Sequence, residues 1–514
     1  MTSSAKKSQH PYMQTASLIT GGATLLLAAL AYKYPDRPMF TEARDGLLAP
    51  DAYPLVGITP TVLMRRHTIH DYMLELVERY NVLTGTGIGL GIPRLILTID
   101  PKAIDHVLRN NFENYIKGSF LDDAMGDLFG KGIFNADGEV WRYQRKAASH
   151  IFNVKNFRDG FTTVFYRNIR TMKADVFNPA AQTQLPLDFH DAMHNFTLGS
   201  FLEVSFGISP DTLTKDALAT FCTSFDVCQR NVAERLMNPA SRTMETLESW
   251  LMPWRTSIQQ HLANVNDFAM TIVAKRREEI AADGGKAKDD LLSRFMNTKN
   301  NKDQPLSDKE LRDIVLNFII AGRDTTAQAI SWMMYMLLTN PGVRYALLAE
   351  INDTITDDVE NDPAAMFEAV KKMKYANAVF REVLRLHPPV PANAKVALKD
   401  DVWPDGSTIK KGDLIGLITR GVGRSEMVWG KDAKKFKPDR WFADDGSLRL
   451  EPPSKWPAFN AGRQVLGTTV ALITITSLLR RYEFKLVPDQ EITYQVGLTL
   501  PMKNGMKVYV NRRK

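Results

Sequence analysis

Cysteine is nearly absent: the 514 residues hold two, Cys222 and Cys228. Two cysteines cannot build a disulfide framework. Their spacing matches neither a C-x-x-C redox pair nor a zinc site, so both are read as buried thiols on a helix in a reducing compartment. Long basic runs are missing as well. The formal charge of +7 is mild, and Lys371-Lys372-Met373-Lys374 is a short solvated face, so nucleic acid is excluded as a partner. A dinucleotide loop is also lacking. Gly85, Gly87, Gly89 and Gly91 alternate, no G-x-G-x-x-G can be drawn, and the strand Arg94 to Ile99 follows the glycines instead of preceding them. A glycine-rich turn or hairpin is expected there. The nicotinamide-dehydrogenase reading fails on the same spacing.

What is present is an ordinary globular composition, 44% hydrophobic and 24% charged, with ample material for a core. Near the N-terminus, Pro11 to Tyr32 carries no charge and is rich in Leu, Ala and Ile from Leu18 to Ala31. That is about the length needed to cross a bilayer, and it is read as a retained anchor and not a cleaved signal peptide. Lys6 and Lys7 precede it and Lys33 and Arg37 follow, so the positive-inside rule does not orient it firmly. The division predicted is an anchor with its flanks over 1–34, a Pro-rich linker over 35–58 (Pro35, Pro38, Pro50, Pro54) and one large domain over 59–514.

Within that domain Asp100-Pro101 opens a helix, with Asp100 as N-cap and Pro101 at the first helical position. Helical patterns dominate from about Asn195 to Gly423. Ser307-Asp308-Lys309-Glu310 is a capping box at the head of a helix of roughly thirty residues, apolar on most sides, which should run through the centre of the fold. Ala321-Gly322-Arg323-Asp324-Thr325-Thr326 interrupts its apolar pattern. Either the backbone satisfies these polar groups at a local kink, or an acid and an alcohol face a ligand groove and deliver protons to it. A hairpin is expected from Glu491–Leu500 and Met506–Val510. The fold class is therefore mostly α with small β-sheets.

Three further constellations stand out. The Tyr375–Leu386 helix carries Glu382 and Arg385, three apart, and Arg440 follows in Pro438-Asp439-Arg440. A glutamate shared by two arginines would be a buried bidentate clamp. Trp141 and Arg145 share one helical face, as a packing pair or as two donors to an anion. Phe459-Asn460-Ala461-Gly462-Arg463-Gln464-Val465-Leu466-Gly467 is a loop without His, Cys or Met.

In their order and joint presence these motifs resemble the cytochrome P-450 family, the haem-thiolate monooxygenases, over essentially the whole chain. The resemblance implies a single haem-pocket domain behind an N-terminal membrane anchor. It makes Asp324 and Thr325 the acid–alcohol pair that relays protons, and Glu382, Arg385 and Arg440 a structural triad. Trp141, Arg145, Lys395 and Arg463 become the grip on the propionates of haem b. Electrons would come from NADPH through a membrane-bound reductase, and the substrate would be lipophilic. Asp137-Gly138 and Val422-Gly423-Arg424 look like the fungal and plant branch that hydroxylates fatty acids. An endoplasmic reticulum membrane location with a cytosolic catalytic domain goes with that likeness.

The departure lies in the loop. The family pattern Phe-x-x-Gly-x-Arg-x-Cys-x-Gly is one residue short between Gly462 and Arg463, and Val465 stands where the cysteine ligand belongs. Valine neither ligates iron nor donates electron density to it. Three accounts stay open on the sequence. The first is a monooxygenase whose disruption is confined to this loop, as by a misplaced splice junction. The second is a haem-deficient pseudoenzyme that binds a lipid or a protein partner. The third is a different catalysis that uses Asp324 and Thr325 without iron.

Overall fold

The computed structural model describes residues 11–44, 47, 50–151, 160–209, 212–282, 284, 290–300, 303–460 and 465–513. Its organising element is the helix Asp308–Thr339, opened by the capping box in which Ser307 and Glu310 satisfy one another's backbone amides. The apolar run after the box is buried without interruption from Leu311 to Ile320. The helices Phe189–Phe206, Ile258–Ala282, Lys374–Leu386 and Val465–Arg481 pack around it.

A five-stranded sheet lies to one side, in the order Thr84–Gly89, Ile92–Thr98, Leu414–Leu417, Asn393–Ala397, Tyr115–Ile116. Only the contact of Ile92–Thr98 with Leu414–Leu417 is parallel, with Leu95 opposite Leu414. The alternating glycines form the antiparallel hairpin expected of them, pairing Gly85 with Leu97 and Gly87 with Leu95. Asp100 caps the next helix through Lys102 N at 3.0 Å, with Pro101 in the first turn. A smaller apolar core of Ile96, Ile99, Ile415 and Trp403 lies against this sheet.

The helix of roughly thirty residues is 32 long and runs through the motif Ala321–Thr326. Gly322 is there for close packing, because a Cβ on it would lie 1.9 Å from the Phe201 ring. One expectation is corrected: the C-terminal hairpin has a different first strand. Lys507–Arg512 pairs with Tyr482–Leu486 and with Leu187–Asp188, while the Glu491–Leu500 segment contributes only a bridge from Tyr494 to Met502. Tyr482 and Phe484 are buried against Phe177 and Phe189, and this aromatic packing selects the pairing.

The apolar N-terminal segment is helical over Pro11–Lys33. No helix among the described residues is long and apolar enough to cross a membrane. Cys222 and Cys228 share the helix Lys215–Met237, Cys228 fully buried and Cys222 partly so. Burial pushes the two thiols up to about 11 and about 12, so neither is a thiolate near neutral pH.

Candidate functional site

From Leu311 to Met334 the central helix is buried everywhere except at Ala321, Gly322, Thr325 and Thr326. These residues fall on one side of one turn, so open space meets the middle of an otherwise sealed helix. The Thr325 hydroxyl is parked on Ala321 O at 2.7 Å, the usual way a threonine is tolerated inside a helix.

Asp324 points the other way and is 1% exposed. Arg323 Nη1 lies 3.1 Å from its carboxylate and His194 Nδ1 lies 3.5 Å away. Burial alone would raise this carboxyl, but Arg323 and His194 outweigh it and hold it below the usual range. Arg323 also forks onto Asp226 at 2.7 and 3.3 Å, tying the central helix to Lys215–Met237. Thr197, on the helix Phe189–Phe206, donates to Arg323 O at 2.9 Å. On the C-terminal side, Gln328 bonds both the Thr499 hydroxyl and Leu500 N, and the Trp332 indole donates to Leu500 O. The turn Leu498–Met502 is thereby pinned along the helix one to two turns beyond Thr325.

Glu382 and Arg385 form a closed clamp at zero exposure, with bonds of 2.8 and 2.7 Å. Arg440 Nε reaches the same carboxylate at 2.9 Å, Trp441 Nε1 donates to it at 3.0 Å and Lys437 N at 2.9 Å. Arg385 spends its remaining donors on the carbonyls of Gly423, Ala433 and Lys435. Gly423 makes that approach possible, since a Cβ there would lie 1.9 Å from Arg385 O. The sequence brought three of these residues together; Trp441 and the backbone donors completed the set unseen.

A third cluster gathers on the side of the sheet. Phe112 lies between Trp141, with ring centroids 5.5 Å apart, and Lys395, whose Nζ is 5.5 Å from the Phe112 ring. Burial pushes Lys395 below its ordinary value, with Asp137 opposing the shift. Lys117, which the sequence reading missed, is pushed down to about 8, first by burial and then by the charge of Lys395. Its Nζ bonds Ile133 O at 2.9 Å and Ala136 O at 2.5 Å. The signal that marks it is Gly118, whose φ of +72° sets the strand-to-helix corner. Arg145 stands exposed one turn beyond Trp141. Arg463 lies outside the described residues, as does the side chain of Val465, whose backbone begins the helix Val465–Arg481.

The family model Cytochrome P450 matches residues 48–506. The chain belongs to the cytochrome P450 family. Cytochrome P450 704C1 of Pinus taeda is 34% identical over 484 residues, covering 90% of this chain and 92% of that protein. Cytochrome P450 monooxygenase cyp1 of Mycosarcoma maydis is 33% identical over 513 residues, covering 94% of this chain and 78% of that one. Among solved structures, the cytochrome P450DA heme domain superposes with a TM-score of 0.73 at 18% identity, covering 91% of this chain and 98% of that one, which shows the shared fold.

Membership in the P450 family implies haem and a redox partner that supplies electrons. The residues present fit this group in one part and fail in another. Two crowded, partly buried lysines, with Phe112 between Lys395 and Trp141, suit a propionate pair. The axial position does not fit, because no residue from Phe459 to Gly467 carries a soft or imidazole donor. An aromatic ladder runs from the clamp to that loop through Trp429, Trp441, Trp456 and Phe459, at centroid spacings of 5.6, 5.2 and 5.7 Å. The framework that would hold the loop is therefore in place on its near side.

Proposed function

We propose that this chain carries the lipid pocket of a P450 monooxygenase for fatty-acid-like substrates, and that Val465 withholds the thiolate that oxygen insertion requires. The observation that supports the pocket is the gap in burial at Ala321, Gly322, Thr325 and Thr326 on a helix otherwise sealed by apolar packing. In this reading Asp324 and Thr325 hold and pass protons at the carboxylate and the hydroxyl. Trp141, Arg145, Lys117, Lys395 and Arg463 bind the acidic edge of the haem, and Glu382, Arg385 and Arg440 keep the framework rigid. With a thiolate in place, a bound haem would supply insertion of one oxygen atom into an unactivated C–H bond, on electrons from NADPH through a reductase. Without it the protein binds the lipid and leaves it unchanged, as a haem-poor pseudoenzyme.

Attachment to the endoplasmic reticulum membrane, with the folded domain in the cytosol, belongs to the same proposal. Its support is the apolar end of the Pro11–Lys33 helix, where Leu25, Leu26 and Leu27 are 74%, 62% and 56% exposed.

An ordinary hydroxylase remains the second reading, favoured by the intact clamp around Glu382 and the intact aromatic ladder. Binding of a fluorescent long-chain fatty acid, with and without Thr325→Trp, tests the pocket. Saturable binding that the bulky variant weakens at least tenfold is expected; binding unchanged by the variant places the lipid elsewhere. Product analysis with a reductase and NADPH separates the two readings, since only the second yields a hydroxylated acid.

A further inference from the structure

Between the helices Phe189–Phe206 and Asp308–Thr339 lies a charge imbalance that the family motif does not explain. Two carboxylates, Asp324 and Asp226, share one guanidinium, that of Arg323. Asp226 is partly open to water with 43% side-chain exposure, but Asp324 is sealed at 2%. Arg323 Nη1 lies 3.1 Å from Asp324 Oδ1 and the Gln229 side chain also favours the ionised carboxylate, yet neither buried ring nitrogen of His194 has a well-formed hydrogen bond. Unsatisfied buried polar atoms are uncommon in native folds. Of the two nitrogens, Nδ1 faces Asp324 Oδ1 across 3.5 Å.

We propose that His194 is a positioning residue for Asp324, present as an imidazolium whose Nδ1–H closes onto the carboxylate. A protonated His194 balances the second carboxylate and gives the unpartnered Nδ1–H a charge-assisted bond. When the proton moves, the Nδ1–H bond breaks and the Asp324 O–H bond forms. The imidazole is left neutral and the carboxyl is left as a proton donor beside Thr325. The other charged or titratable groups facing the pair are few. His190 stacks edge-on to His194 with centroids 4.5 Å apart, bonds Ser331 Oγ at 3.2 Å and is held neutral by burial. Asp191 lies on the same helix, and Cys222 and Asp226 face the pair from Lys215–Met237. Arg323 and His194 together keep Asp324 ionised against its burial.

The inference deepens the reading of Asp324 as a proton-carrying group, and its test needs neither haem nor lipid. The carboxyl band of Asp324 is followed by difference infrared titration of the full chain and assigned with Asp324→Asn. Replacing His194 with Gln should raise the midpoint of that titration by about one pH unit or more, while His194→Lys, which restores a cation, should return it most of the way. A double-mutant stability cycle over His194→Gln and Asp324→Asn should show coupling between the two sites. An unchanged midpoint in a folded His194→Gln variant overturns the proposal, as does failure of both Gln and Lys variants to differ. Loss of lipid binding with the titration intact would instead strike only the functional reading on which the proposal rests.

Discussion

The Trp441 indole donates to Glu382 Oε2 at 3.0 Å while its ring packs 5.2 Å from Trp456, which in turn meets Phe459. Two indoles thus join the buried clamp to Phe459, the first residue of the cysteine-free loop. The clamp and the near side of the loop stand or fall together in folding, whatever the loop does in chemistry.

Removing one partner from the clamp leaves charges stranded at zero exposure. Glu382→Gln should cost about 3–5 kcal/mol, read as a fall in the denaturant midpoint or as insoluble expression. Arg385→Lys should be nearly as costly, because a lysine cannot reproduce the fork onto Glu382 together with three carbonyls. A wild-type midpoint in either variant would show that the clamp is not rigidly packed.

Gly322→Ala places a methyl carbon 1.9 Å from Phe201. The expected loss is about 1–3 kcal/mol from overpacking, despite the better helix propensity of alanine. Combining it with Phe201→Leu should recover part of the loss. If Gly322→Ala alone is stabilising, the two helices do not approach as closely as the structure has them.

Lys117 gives a pH signature. Its folded-state value is lowered from 10.5 to about 8, so between those limits the unfolded chain binds more protons and stability rises with pH. Below about 8 both states are protonated and the burial penalty is fully present. Thermal unfolding of Lys117→Met should lack the rise seen in the parent between about pH 8 and 10.5. The same rise in both proteins would remove Lys117 from the buried cluster.

Added haemin tests the cationic cluster. If Lys117 and Lys395 face the propionates, each Lys→Ala change should weaken haemin binding by roughly tenfold or more, the worth of a hydrogen bond to a charged group. Equal affinity in the parent and in the double variant would place the acidic edge elsewhere.

Much of this architecture was legible in the sequence because local signals agreed with tertiary ones. Ser307 and Glu310 announce their capping box, Asp100-Pro101 its helix start, and the alternating glycines their hairpin. Glu382, Arg385 and Arg440 could be joined through resemblance alone, and the structure puts them on one carboxylate. What stayed hidden depends on distant packing. The strand Tyr482–Leu486 is not foreseen, because its pairing rests on Phe177 and Phe189 beneath it. Gly322 reads as a kink until Phe201 is seen against it, only the Gly118 corner marks Lys117, and nothing local marks His194 as a neighbour of Asp324.

The most direct test is the absorption spectrum of the full-length protein made from this sequence, supplemented with haemin, reduced and exposed to carbon monoxide. If Val465 stands where the cysteine ligand belongs, as proposed, the expected result is little retained haem and a spectrum without the thiolate-type Soret shift. A clear thiolate-type shift would contradict the account: a sulfur ligand would then reach the iron, and the chain would be a competent monooxygenase.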